Sequence, residues 1–185
     1  MSVYNTTEEF MREIAVCRSI FEKKTRDYGT SWRVLRLPSL TDQIFIKANR
    51  IRSIQESGEN RVGEDCRLEF VAMVNYATMA LIQKELESDS RLDLPLEIAL
   101  KLYDDHITAA TSLMLDKNHD YGEAWRQMRV SSMLDLILMK LLRIKQIEDN
   151  NGKTLISEGV EGGYMDIINY SLFCLIRMTE ENEDK

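Results

Sequence analysis

The chain is poor in residues that interrupt helices. Among 185 residues there are 2 prolines and 8 glycines, too few for a β-rich or low-complexity chain. The 3 cysteines, Cys17, Cys66 and Cys174, form no CxxC pair, which fits a reduced, cytoplasmic protein. Histidine is scarcer still: His106 and His119 stand alone, and no Cys/His spacing suits zinc. The longest apolar run, Met133 to Leu142, is broken by Asp135 and Lys140 and is too short to cross a bilayer. The opening MSVYNTTEEF has no basic n-region and no apolar h-region, so no secretory signal is expected. There is no GxxxxGK[ST] loop, no GxGxxG after a strand and no GxSxG elbow. The first two absences exclude the folds that cradle phosphate on a glycine turn. The third leaves nucleophilic catalysis without a signature.

A basic stripe is also missing. Residues 1–92 carry 14 basic and 14 acidic groups, and residues 93–185 carry 10 and 17. The net charge of −7 therefore lies wholly in the second half, and the pI is near 5.0. Phosphate neutralisation dominates duplex affinity, so this balance speaks against nucleic acid as the main partner. What remains is 44% hydrophobic and 30% charged, rich in Leu, Ile, Met, Glu, Lys and Arg, and favours helix.

The dominant feature is an internal repeat. Residues 24–54 (KTRDYGTSWRVLRLPSLTDQIFIKANRIRSI) align with 117–147 (KNHDYGEAWRQMRVSSMLDLILMKLLRIKQI) at a constant offset of 93, and 14 of 36 positions in the wider window are identical. After one inserted residue the register resumes at offset 94, pairing Glu64 with Glu158, Asn75 with Asn169 and Tyr76 with Tyr170. Two copies of one module, 1–92 and 93–185, are expected to form an all-α helical bundle of two tandem three-helix repeats related by a pseudo-twofold axis. A three-helix module has more apolar stripe than it can bury alone, so the copies should pack together as one compact domain. The second-module surface is a candidate homodimer face.

Each module reads as three helices. Phe10, Ile14, Cys17 and Phe21, and their counterparts Tyr103, Ile107, Ala110 and Met114, are spaced three and four apart and mark a first helix, from about Thr6 to Asp27 in the first copy. Thr6 with Glu9 predicts a capping box there. Gly29 and Gly122 follow as helix-ending residues. Second helices are expected from Ser39 and Ser132, capped with Asp42 and Asp135. Third helices are expected over Glu64 to Glu87 and Glu158 to Thr179.

Polar residues placed inside apolar stripes are the candidates for chemistry. Lys47 stands among Leu40, Ile44, Ile51 and Ile54, and Lys140 among Met133, Ile137 and Ile144; Arg50 and Arg143 follow each one turn on. Lys24 and Lys117 likewise extend the first-helix stripe. A lysine in such a setting must snorkel out, pair with a carboxylate or hold a ligand. On the third helix, Glu158, Asp166 and Asn169 share one face. Facing Lys140 and Arg143, they would form an internal ion-pair network or a polar pocket for a metal–phosphate ligand. Oxygen donors beside Lys and Arg suit Mg²⁺. In the first copy Asp166 becomes Ala72, with Glu69 one turn earlier as a replacement, so a metal site is expected mainly in the second.

The series K-x-x-D-Y-G-x-x-W, then K-x-x-R-I, then an acid, D-x-x-N-Y resembles the nucleotide modification associated domain family. The matching residues are Lys117, Asp120, Tyr121, Gly122, Trp125, Lys140, Arg143, Ile144, Glu158, Asp166, Asn169 and Tyr170; the first copy matches with Lys24, Asp27, Tyr28, Gly29, Trp32, Lys47, Arg50, Glu64, Asn75 and Tyr76. The resemblance implies an association with nucleotide or DNA-base modification. More distantly the arrangement is similar to MazG-type all-α nucleoside triphosphate pyrophosphohydrolases, whose EExxE and ExxD signatures are not present. Two expectations follow. One is a Mg²⁺-dependent nucleotide-binding protein acting as a pyrophosphohydrolase. In it Asp166, Glu158 and Lys140 are catalytic, and Glu158, Asp166 and Glu161 (or Asp120) hold the metal. Lys47, Arg50, Arg143, Asp120, Tyr121, Trp125, Asn169 and Asn75 bind substrate. The other is a non-catalytic helical scaffold or interaction module in which the same residues form caps and buried ion pairs.

Overall fold

The computed structural model describes residues 5–59, 65–156 and 159–184. Among them are six α-helices and no strand: α1 (Thr6–Tyr28), α2 (Leu37–Ser57), α3 (Cys66–Glu85), α4 (Leu96–Tyr121), α5 (Val130–Asp149) and α6 (Glu161–Glu183). A single 3-10 turn joins the first and second helix of each repeat, Ser31–Val34 in one and Ala124–Gln127 in the other. The order helix, 3-10 turn, helix, helix thus occurs twice, as the repeat predicts. None of these helices is long and apolar enough to cross a membrane.

The stripes read from the sequence are the buried faces. Phe10, Ile14, Cys17 and Phe21 are buried on α1, and Tyr103, Ile107, Ala110 and Met114 on α4. Leu40, Ile44 and Ile51 on α2 and Met133, Ile137 and Ile144 on α5 are buried likewise. The third helices differ in kind. Buried residues lie all round α3 and α6, the pattern of an element at the centre of a bundle. Helices α3 and α6 pack most extensively on each other, α2 and α5 close the other side, and α1 and α4 each lie across both third helices. The buried side chains of both repeats form one continuous cluster.

The repeats grip each other through exchanged pairs. Lys145 Nζ lies 3.1 Å from Asp42, and Arg52, the counterpart of Lys145, lies 3.6 Å from Asp135, the counterpart of Asp42. This corrects the expected role of those two acids, which cap nothing. Helices α2 and α5 begin two residues earlier than expected, after Arg36 and Arg129, and neither has a side-chain cap. Pro38 lies in the first turn of α2, where a missing N–H costs no helix bond. The capping box at Thr6 is corrected too. Asn5 is the N-cap and its side chain accepts from the Glu8 N–H, which frees the Thr6 hydroxyl to bond Glu123 across the repeat boundary.

Gly29 and Gly122 end α1 and α4 with φ of 62° and 63° and ψ near −150°, a backbone region open only to glycine. Each reverses the chain into the 3-10 turn that carries Trp32 or Trp125, and that reversal shapes the site.

Candidate functional site

Each repeat carries a pocket bounded by the end of its first helix, the 3-10 turn and one face of its third helix. In the second repeat it is lined by Lys117, Tyr121, Trp125, Asp166, Asn169 and Tyr170, among others, and has a volume of about 330 Å³. In the first, the counterparts Lys24, Tyr28, Trp32, Ala72, Asn75 and Tyr76, together with Lys47 and Glu69, line about 730 Å³. The third-helix residues recur at three and four, so they share one face by helix geometry alone. The glycine reversal swings each 3-10 turn back over that face and puts a tryptophan against it.

Trp125 stacks on Phe173, with ring centroids 4.2 Å apart and planes within 8°, and the Arg126 guanidinium lies over the indole at 4.4 Å. Arg126 is held by Glu123, Glu180, Glu9 and Thr6. Trp32 occupies the same place beside Phe21, at 6.3 Å. Both tryptophans are therefore walls, yet the indole Nε1 of each is buried without a hydrogen-bond partner. Tyr28 and Tyr121 stand on the rims, 70% and 77% exposed. Tyr170 lines the inner face. Burial, and after it the charge of Asp166, pushes its phenol above the ordinary value, so it enters the pocket as a neutral hydroxyl.

Electrostatics differ between the copies. In the second, Asp166 is clasped by two ammonium groups, with Lys117 Nζ at 2.7 Å from Oδ1 and Lys140 Nζ at 2.9 Å from Oδ2. In the first, the acid is Glu69, one turn earlier: Arg50 lies 3.0 Å from it and Lys47 3.6 Å. The second copy has Gly163 at that position, where a Cβ would come within 3.0 Å of the Ile144 side chain. Packing of α5 on α6 is tight there, and the acid of the second copy sits one turn on.

The asparagines tie helices together. Asn75 Nδ2 donates to the Cys17 carbonyl and Asn169 Nδ2 to the Ala110 carbonyl, equivalent points on α1 and α4. The Asn75 oxygen accepts from the Tyr103 hydroxyl at 2.7 Å. The Asn169 oxygen has no partner, because the position equivalent to Tyr103 is Phe10. Asn75 is thus saturated by the fold, whereas Asn169 keeps an open acceptor.

The other candidates are dispersed. Arg143 is exposed and lines a separate groove with Ile144, Ile156, Gly159 and Gly163, which Lys140 also borders. Asp120 is exposed beside His119, 3.2 Å away. Glu161 opens α6, and its counterpart, Arg67, is paired with Glu13. Glu158 and Glu64 lie outside the described residues. Among those described, no three His, Cys, Asp or Glu side chains come together in a way that would hold a metal ion. Among the described residues the acid of the second pocket, Asp166, already has an ammonium on each oxygen, so the described side chains by themselves do not make a donor set for Mg²⁺. Lys24 and Lys117, singled out by their place one turn beyond each buried stripe, line the pockets themselves, and Tyr170, which the expected ligand set leaves out although it belongs to the repeated motif, lines the second.

Fold and site together define a class: an all-α protein of two tandem helical repeats, each with a lysine-bearing, aromatic-walled pocket. The chain belongs to the nucleotide modification associated domain 1 family, whose sequence pattern matches it twice, at residues 24–84 and 117–178. Each match starts on the pocket lysine of its repeat. No curated protein and no solved structure matches the chain.

Proposed function

We propose that the chain binds a nucleotide, with the phosphate at the lysines of a repeat pocket and the base or sugar against its aromatic and amide wall. The observation that carries this reading is the recurrence of one constellation, Lys24/Lys117 with Tyr28/Tyr121, Trp32/Trp125, Asn75/Asn169 and Tyr76/Tyr170, around two cavities of ligand size. Membership of a family associated with nucleotide modification supports it. The lysines supply the positive field, and the indole N–H and Asn169 oxygen supply unsatisfied donor and acceptor groups that a polar ligand would pair. Pyrophosphohydrolysis is the reaction to look for. Among the described residues the pockets offer charge neutralisation and orientation for it.

The test is a thermal-shift panel of nucleoside mono- and triphosphates, with and without Mg²⁺, followed by chromatography for released pyrophosphate. Binding at a hundredfold excess over Kd stabilises a chain by about 2.7 kcal/mol, and the shift should vanish in the Lys24→Gln/Lys117→Gln double variant. No shift with any nucleotide would sink the reading. A shift without product would leave a binding protein that is not a hydrolase.

The second reading, a non-catalytic scaffold, is favoured by the closure of both acids in ion pairs. It expects Lys140→Met with Asp166→Leu to keep or raise stability while each single change lowers it. Nucleotide binding lost in variants of unchanged stability counts against it.

A further inference from the structure

The two pockets have the same ancestry in sequence but differ in what their charges are doing. In the second, Asp166 takes up both Lys117 and Lys140, so a carboxylate already sits where a bound anion would. In the first, the same helix position is Ala72, which lines the cavity without a charge. The acid there, Glu69, engages Lys47 and Arg50 from one turn further back. Lys24, the counterpart of Lys117, is exposed on the cavity wall and has no acid within ion-pair distance among the described residues.

Two further observations concern the same cavity. Trp32 Nε1, a donor on a residue only 9% exposed, has no hydrogen-bond partner, and Glu69 Oε2, on a residue 3% exposed, has no hydrogen bond and only the Lys47 ammonium 3.6 Å away. Buried polar atoms left open in this way call for a ligand or water. The first cavity is also the larger, about 730 Å³ against 330 Å³.

Resting on the nucleotide reading above, we infer that the pockets are not equivalent: the first-repeat pocket takes the phosphorylated ligand, and the second is held shut by Asp166. Lys24 meets the phosphate, with Lys47 behind it. The Trp32 N–H donates to a ligand oxygen or ring nitrogen, and Glu69 Oε2 accepts from a sugar hydroxyl or base N–H. A compound with phosphate and such a donor, as nucleotides have, matches Lys24, the Trp32 N–H and the Glu69 oxygen in this one cavity. This reverses the weight that the sequence puts on Asp166.

Exchanging the two helix positions tests the inference. Calorimetric titration would use the four 2′-deoxynucleoside 5′-monophosphates and inorganic pyrophosphate, with the fold of each variant checked by thermal melting. Wild type should bind one equivalent per chain. Ala72→Asp, which puts a carboxylate beside Lys24, should weaken binding at least about tenfold, while the uncharged Ala72→Asn retains it. Asp166→Ala, by releasing Lys117 and Lys140, should add a second equivalent. Ala72→Asp binding like wild type, with Lys117→Met abolishing the signal, would overturn the inference and leave the nucleotide reading standing. If neither wild type nor Asp166→Ala bound any probe, the nucleotide reading itself would fall.

Discussion

Comparing the two repeats residue by residue separates what a duplicated module keeps from what it is free to change. Both copies keep the glycine reversal, the tryptophan wall, the asparagine that ties the third helix to the first, and the lysine pair. They differ in where the balancing acid sits: on one turn of α3 as Glu69, and on the next turn of α6 as Asp166. They differ also at Phe10 and Tyr103, so the oxygen of Asn75 is bonded and that of Asn169 is not. The geometry of a helix terminus allows few alternatives. A charge on a helix face needs only a partner within reach, and either of two turns provides one.

That comparison can be broken in several ways. The largest expected effect is at the asparagines. Asn75→Ala leaves both the Cys17 carbonyl and the Tyr103 hydroxyl without their partner, and should cost about 2–4 kcal/mol. Asn169→Ala leaves only the Ala110 carbonyl and should cost about 1–2 kcal/mol. Urea unfolding of both variants checks the ratio, and equal losses would show that the hydroxyl of Tyr103 contributes nothing. Next come the glycines. Gly29→Ala and Gly122→Ala both force alanine into a glycine-only region, for about 1–3 kcal/mol. Gly29 should be the more costly, because a Cβ there comes within 2.9 Å of the Asp93 carboxylate, while nothing lies near Gly122. Thermal melts that ranked them the other way would contradict that contact.

Smaller effects sharpen the picture. The exchanged pairs at Asp42 and Asp135 have largely exposed acids, so Asp42→Ala and Asp135→Ala should each cost at most about 0.5 kcal/mol, and less in high salt. The smallest effect is one of pH. Glu148, on α5, accepts from the Thr41 hydroxyl, which also bonds Tyr164. Burial first, and then neighbouring acids, raises its carboxyl above the ordinary value. The native state therefore holds this proton more tightly than the unfolded chain. The penalty for ionising it is absent below the ordinary value, near pH 4.5, and grows as pH rises through the raised one. The first repeat has Gln55 at the equivalent position. Glu148→Gln should remove the decline in stability across that interval, read as a flatter plot of melting temperature against pH. An unchanged plot would show that Glu148 is as well solvated folded as unfolded.

Much of this was legible in the residues. The repeat, the helix count and the buried faces of α1, α2, α4 and α5 follow from spacing, because a helix converts a three-and-four pattern into one side of a cylinder. The glycine ends of α1 and α4 were legible because the residue type alone permits the conformation. Ser39, Ser132 and Thr6 misled as caps, since a local pattern cannot tell whether a hydroxyl is better used locally or in tertiary contact. Arg143 lies on a different groove from Lys117. Its place on α5 was clear, but which neighbour that face meets was not.

The sequence by itself determined that this protein is an all-α duplication with lysines set into its apolar stripes. Those features depend on residue type and on separations of a turn or two, which a helix makes rigid. Only the tertiary structure decided that the lysines meet Asp166 in one copy and Glu69 in the other, that Lys24 meets neither, and that two tryptophan N–H groups remain open. Each of those outcomes depends on how closely α5 approaches α6 and where the 3-10 turns fall. Such distances are set by the packing of side chains far apart in the chain, which no local spacing encodes.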